Sequence, residues 1–166
     1  MRNRRRKMRT AILKLIEKNS RIDFQDIADM MDTDLETVKK TVKELEDEHV
    51  ICGYHTLINW DKEEEERVTA MIEVRITPQR GRGFDKIAER IYNYPEVKTV
   101  YLMSGTYDLM VILEEKTLKE ISHFTSNRLA VIDSVIGTTT HFVLKKYKDH
   151  GTILAEPVDE RMAVTP

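Results

Sequence analysis

The chain has 166 residues, 40% hydrophobic and 34% charged, with a formal net charge of -2. That is enough apolar material for one ordinary core or two small ones, and a balance so near neutral excludes a protein that coats nucleic acid through bulk electrostatics. No apolar run approaches the length of a membrane-spanning helix and the basic start is not followed by the apolar stretch of a signal peptide, so no membrane partner is expected and a cytoplasmic location is.

The first nine residues hold Arg2, Arg4, Arg5, Arg6, Lys7 and Arg9, a cationic cluster that suits phosphate and equally suits a frayed, solvated start. From Met8 onward Met8, Ala11, Ile12, Leu15 and Ile16 recur at helical spacing, and Asn19-Ser20 ends that helix. Asp23 stands where an N-cap would, ahead of a second helix whose apolar face is Phe24, Ile27, Ala28 and Met31. After the short polar turn Asp32-Thr33, Asp34 caps a third helix that turns Leu35, Val38, Val42 and Leu45 inward. Two short helices around a tight turn read as a helix-turn-helix, although any pair of amphipathic helices so joined makes the same pattern. In a helix-turn-helix the N-terminal part of the outward face enters the major groove. The candidate contacts to double-stranded DNA are therefore Leu35, Glu36, Thr37, Lys39, Lys40 and Lys43, with Arg4, Arg5 and Arg6 of the basic start beside them.

Val50 to Ile58 is rich in β-branched and aromatic residues and reads as an extended segment leaving the bundle. Its Cys52, alone in the chain, has no Cys or His at ligand spacing and is expected to be a small buried hydrophobe. Asp61 to Arg67 has no apolar residue and reads as a solvated hinge. The expected organisation is a helix-turn-helix domain over 1–58, a hinge over 59–67, an effector and oligomerisation domain over 68–148 and a C-terminal extension over 149–166.

Beyond the hinge, Val68, Ala70, Ile72, Val74 and Ile76 alternate with Thr69, Met71, Glu73, Arg75 and Thr77, the period of a half-buried strand, closed by Pro78, Gly81 and Gly83. Phe84, Ile87, Ala88, Ile91 and Tyr92 return to helical spacing. Strands over Val97 to Met103 and Leu109 to Leu113 follow so closely that they must form a hairpin around Ser104-Gly105-Thr106-Tyr107-Asp108. Thr117 with Glu120 makes a capping box for a helix whose core side carries Leu118, Ile121, Phe124 and Leu129, and a last strand runs from about Val135 to Tyr147. Strand, helix, strand, strand, helix, strand is the ferredoxin-like order, an antiparallel sheet with both helices on one face. Met71, Tyr101 and Met103 on the other face predict a second copy as its cover, hence a homodimer.

These pieces together resemble the Lrp/AsnC (leucine-responsive and asparagine-regulator) family of transcription factors. The resemblance rests on Ala11-Ile12-Leu13, Ser20-Arg21-Ile22, Val42, Leu45-Glu46, Val50-Ile51-Cys52-Gly53-Tyr54 and the hairpin Ser104-Gly105-Thr106-Tyr107-Asp108, which matches the family's G-x-[YF]-D pattern. It implies an α+β chain, a winged-type helix-turn-helix bundle followed by a ferredoxin-like βαββαβ domain. It further implies transcriptional regulation through DNA binding, dimers assembled into a ring or disc, and a small effector, generally an amino acid, held between subunits near Ser104, Gly105, Thr106, Tyr107 and Asp108. Gly105 would let backbone N–H groups approach a carboxylate and Asp108 would accept from an ammonium. The plainer reading is a turn in which Gly105 supplies an unusual φ and Asp108 caps a backbone donor.

Three departures stand against the family pattern. Thr41 replaces an arginine common in the recognition helix, His49 replaces a closing glycine, and the tail from Asp149 runs past the usual end of the effector domain. Glu44, Glu46, Asp47 and Glu48 at the helix end are unfavourable to DNA and to a helix C-terminus. An alternative function is therefore an amino-acid-binding oligomer with weakened or absent DNA binding. Catalysis finds no support: His49, His55, His123, His141 and His150 lack metal-ligand spacing, and no phosphate loop or nucleophile with a nearby base is present, so neither enzyme activity, metal nor cofactor is expected.

Overall fold

The structure, a computed structural model, describes residues 2–65, 67–77, 83–115 and 117–155. The chain divides into two compact units between Leu57 and Ile58.

The first unit holds α1 (Arg2–Lys18), α2 (Phe24–Met30) and α3 (Leu35–Asp47). Its core is Ile12, Ile16, Ile27, Ala28, Val38, Val42 and Leu45, the residues whose three-and-four spacing lines one face of each helix. Both expected caps form: the Asp23 carboxylate accepts from the Gln25 N–H at 2.8 Å, and the Asp34 carboxylate from the Thr37 N–H at 2.7 Å. Leu35 departs from its inward stripe, half-buried and outside the core cluster, because at the first helical position it lies at the rim of the bundle. α1 starts at Arg2 and not at Met8, so the basic cluster belongs to a helix and is not a frayed arm. Arginine and lysine are good helix formers, and apolar periodicity registers only the part of a helix that packs. No strand forms between Val50 and Ile58, where the backbone is irregular. Cys52 is exposed rather than buried, its thiol donating to the His49 carbonyl at 3.1 Å.

α3 ends in a Schellman motif. The His49 N–H donates to the Glu46 carbonyl and the Val50 N–H to the Leu45 carbonyl, at 2.9 and 2.8 Å, which obliges His49 to adopt a φ of 57°. That left-handed conformation is costly for a residue with a Cβ, and it explains why a glycine suits this position. His49→Gly is expected to stabilise the unit by roughly 1 kcal/mol, checked by the urea midpoint of the full chain.

The second unit is built on a four-stranded antiparallel sheet, β1 (Val68–Ile76), β2 (Val97–Leu102), β3 (Leu109–Glu115) and β4 (Val135–Phe142), in the order β2-β3-β1-β4. α4 (Gly83–Tyr92) and α5 (Leu118–Phe124) are the two crossovers of the βαββαβ chain. Ala70, Ile72, Val74, Leu109, Val111 and Leu113 from the central strands meet Ile87, Ile91, Ile121 and Phe124 from the helices in one core. The Thr117–Glu120 capping box is complete.

Several expectations need correction here. Tyr92 and Leu118 are exposed, because each stands at a helix end whose face has already turned from the sheet. β4 stops at Phe142, since Ala70 pairs with Phe142 and β1 offers no partner much further on. Beyond it β5 (Lys148–Asp149) and β6 (Thr152–Ile153) form a two-residue ribbon, turned by His150 and Gly151 at φ 43° and 81°. The charged stretch after Trp60 is not wholly solvated: Trp60–Lys62 makes a 3-10 turn, Arg67 stacks over the Trp60 ring at 3.6 Å, and the Asn59 amide donates to the Leu154 carbonyl at 3.4 Å. Pro78, Gly81 and residues 156–166 of the extension lie outside the described residues. Ile72→Ala is expected to cost about 2–5 kcal/mol, because it removes a fully buried side chain from the central strand; thermal unfolding measures it.

Candidate nucleic-acid and effector sites

α3 presents Glu36, Lys39, Lys40 and Lys43 to solvent. Lys39 pairs with Glu36 at 3.0 Å and Lys43 with Asp47 at 3.2 Å. Exposed pairs of this kind are weak, so a phosphate can displace either carboxylate, and Lys40 has no ion pair among the described residues. Thr37 is half-buried and serves the cap: its hydroxyl donates to the second Asp34 oxygen at 2.6 Å. Thr41 is 5% exposed, with its hydroxyl on the Thr37 carbonyl at 2.7 Å. The position faces the bundle in this chain, so the missing arginine takes nothing away from the outward face.

The basic start of α1 divides in two. Arg5 reaches Glu44 at 2.7 Å, and Arg9 forks over Glu48, with one of its two bonds at 3.1 Å, while remaining 3.9 Å from Glu44. Arg4 and Arg6 are exposed, without an ion pair among the described residues. Glu44 and Glu48 lie toward the C-terminal end of α3, about 12 and 18 Å along the axis from Glu36 at 1.5 Å per residue. Arg5 therefore stands beside the far end of the helix and not beside the turn that enters a groove. The four acidic residues of that end are all engaged: Glu44 and Glu48 by arginines, Asp47 by Lys43, and Glu46 by the Tyr54 hydroxyl at 2.7 Å.

These contacts move the titrations. The Thr37 hydroxyl, then its backbone N–H, holds the Asp34 carboxyl below its usual value, and the Arg9 hydrogen bond does the same for Glu48. Burial and then the Glu46 bond push Tyr54 up to about 12; with the ring 47% exposed, the carboxylate at the hydroxyl is the better-founded cause. Carboxyls lowered in the folded state contribute stability above their unfolded values, near ~4, and lose it as pH falls through the lower folded values. Glu48→Gln should therefore unfold less steeply with acid than the native chain below about pH 4, as followed by circular dichroism. For Tyr54 the sign reverses: stability is full below its unfolded value near ~10 and falls as pH rises toward the folded one.

At the hairpin, Ser104, Gly105 and Thr106 are exposed, and Tyr107 and Asp108 half-buried. Asp108 is bonded three ways: its carboxylate accepts from the Ile76 N–H at 2.7 Å, its N–H donates to the Val74 carbonyl at 3.0 Å, and its carbonyl accepts from the Met103 N–H at 2.8 Å. The β1–β4 register shifts between Arg75 and Ile76. The carboxylate thus satisfies an amide at an irregularity of the sheet, which is the capping role of the plainer reading. Gly105 has no left-handed φ, and a Cβ built on it meets nothing within 4 Å. Its missing side chain therefore serves neither a strained turn nor close packing within this subunit. Sequence reasoning missed the Ile76 bond because the two residues are 32 positions apart. Asp108→Ala is expected to cost about 1–3 kcal/mol, since it leaves that amide unpaired, and Asp108→Asn less, as read from urea unfolding of both variants.

A three-helix bundle with an outward lysine face, joined to a ferredoxin-like domain, defines a helix-turn-helix regulator with a ligand-binding half. Residues 5–51 match the model of a winged helix-turn-helix DNA-binding domain, and residues 69–153 match the Lrp/AsnC ligand binding domain. The chain belongs to the Lrp/AsnC family and is a DNA-binding transcriptional regulator of that type. It is 46% identical over 159 residues to the uncharacterized HTH-type transcriptional regulator YugG of Bacillus subtilis, covering 95% of this chain and 96% of that one. Among solved structures, Escherichia coli AsnC superposes with a TM-score of 0.65 at 18% identity, covering 84% of this chain and 92% of AsnC. A transcriptional regulator of Neisseria meningitidis in complex with L-Met superposes with a TM-score of 0.69 at 20% identity, covering 94% and 98%. The match to the ligand binding domain runs past β4 through Ile153. Among the described residues no helix is long and apolar enough to cross a membrane.

Proposed function

We propose that this regulator answers to a small effector, an amino acid, bound between subunits at the Ser104–Asp108 hairpin. The observation that carries the reading is the open space over Gly105 beside two further exposed residues. A turn with no need for glycine in its own subunit keeps backbone N–H groups accessible to a carboxylate from outside. The Neisseria regulator crystallised with L-Met supports the ligand class. Asp108 acts here mainly as the clamp that holds the loop, with its remaining lone pairs available to an ammonium.

Residues 1–58 form the DNA-binding domain, 59–67 the hinge, 68–148 the effector and oligomerisation domain and 149–166 the extension. Dimers form through the sheet face opposite the helices, where Met71 is 36% and Tyr101 55% exposed, and associate further. The protein works in the cytoplasm and catalyses no reaction. DNA is contacted through Leu35, Glu36, Lys39, Lys40 and Lys43, with Arg4 and Arg6 on flanking phosphates. The reading with weakened DNA binding loses its support, since Thr41 faces inward and Glu44 and Glu48 of the acidic helix end are paired with Arg5 and Arg9.

Replacing Lys39, Lys40 and Lys43 together by Ala should lower affinity for a duplex from the protein's own promoter and flatten the salt dependence by up to about 3 in slope, near 0.9 for each phosphate no longer neutralised. Fluorescence anisotropy against salt concentration measures both, and an unchanged slope would remove α3 from the groove. Light scattering at micromolar concentration tests the assembly: a monomer contradicts it.

A further inference from the structure

α1 carries more positive charge than its packing employs. Over Arg2–Lys18 it holds eight basic residues against one acidic residue, Glu17, in a chain whose formal net charge is -2. At 3.6 residues per turn, Ile12 and Ile16 turn toward the bundle together with Arg5 and Arg9, whose guanidinium groups meet Glu44 and Glu48 of α3. Asn3, Lys7, Thr10 and Lys14 fall on the opposite side of the helix, with Lys18 at its edge, and all five are exposed. A groove of about 360 Å³ runs along this side between Asn3, Lys7, Thr10 and Lys14. Lys7, Lys14 and Lys18 have neither an ion pair nor a side-chain hydrogen bond among the described residues.

α1 and α3 meet through their buried stripes, with Ile12 and Ile16 in the same cluster as Val42 and Leu45. Their exposed lysines therefore face outward in different directions, and a straight duplex seated on α3 leaves the α1 stripe clear. The stripe suits a phosphate backbone. From Lys7 to Lys18 it runs about 16 Å at 1.5 Å per residue, and a duplex carries one charge per about 1.7 Å of its axis, so each ammonium finds a phosphate. Lysine acts on phosphate as a compact point charge and needs no fixed geometry to do so. A protein partner fits poorly: protein interfaces have an apolar centre rich in aromatic residues and are depleted in lysine, whereas the apolar residue lining this groove is Ala11. The positive end of the α1 dipole strengthens the field at Asn3 and Lys7.

We propose that the outward face of α1 is a second DNA-binding surface, which takes the sugar-phosphate backbone of another duplex segment, whatever its sequence, through Lys7, Lys14 and Lys18. With the promoter held at α3, neighbouring stretches of the same DNA molecule are present at high effective concentration, and three phosphate contacts then suffice to hold one loosely. The proposal rests on the proposed function only in placing the promoter duplex at α3.

The test is a two-step capture with the full chain. A short promoter duplex is fixed to a biosensor surface and saturated with protein, and a fluorescent duplex of unrelated sequence is then offered. The native chain should capture it, with capture weakening about 40-fold between about 50 and 200 mM salt, as three contacts at a slope near 0.9 each require. Combined Lys7→Ala, Lys14→Ala and Lys18→Ala should leave promoter affinity unchanged and weaken capture by at least about tenfold. Alanine at exposed helical positions keeps α1 helical, so the loss reads contact and not unfolding. Three results overturn the proposal: no capture by the native chain at the lower salt; capture unchanged in the α1 variant, which assigns it to the recognition helices of other subunits; or promoter affinity falling along with capture, which puts α1 on the same duplex as α3. The combined Lys39, Lys40 and Lys43 to Ala variant separates this from the proposed function. Unchanged promoter binding in that variant removes α3 from the groove, while the α1 result is still read from the capture step.

Discussion

Burial of one face of the β1–β3 pair is the constraint on which the second half of this protein depends. Ala70, Ile72, Val74, Leu109, Val111 and Leu113 alternate inward from the two central strands, each almost without solvent exposure. The isoleucine, valine and leucine side chains among them contribute about 1.5–3 kcal/mol each when fully buried, and together they oblige α4 and α5 to lie on the same side. The opposite face is left mixed: Met71, Ile112 and Tyr101 are interspersed with the Glu73–His141 pair at 3.1 Å. A face of that composition suits another folded surface better than it suits a core, because Glu73 is already partnered by His141 while the apolar side chains beside it are not covered.

In the helix-turn-helix unit, charge does the arranging that packing leaves undone. α1 begins with arginines at the positive end of its own dipole, and α3 ends with carboxylates at its negative end, both locally unfavourable. Bringing the two ends together converts each into the other's counter-ion, through Arg5 with Glu44 and Arg9 with Glu48. The same pairings leave Arg4, Arg6 and Lys40 as cations uncommitted to the fold. A chain with a net charge of -2 can in this way still offer a positive surface where a duplex would lie, since phosphate recognition responds to the local field and not to the total.

The hairpin shows how a recognition loop is kept both open and rigid. Asp108 binds three backbone groups of β1 and the loop base, so Ser104 to Thr106 project from a fixed support. Variants of Asp108 consequently mix two effects, removal of a clamp and removal of a ligand partner, and stability must be measured alongside any response.

The sequence by itself determined the elements and their order. Apolar spacing located α2, α3, β1, the β2–β3 hairpin and α5; the caps at Asp23, Asp34 and Thr117 were legible because capping joins residues two or three apart. The outward lysines of α3 were legible for the same reason, as the complement of its buried stripe. What only the tertiary structure decided were the partners between distant segments: Arg5 with Glu44, Ile76 with Asp108, Arg128 with Glu96, and the inward turn of Thr41. Periodicity records which face of a helix or strand is apolar, and it carries no information on which polar residue another element will bring within 3 Å. Such pairs depend on crossing angles and strand register that arise only once the cores have closed, which is why the elements could be read in advance and the chemistry of the sites could not.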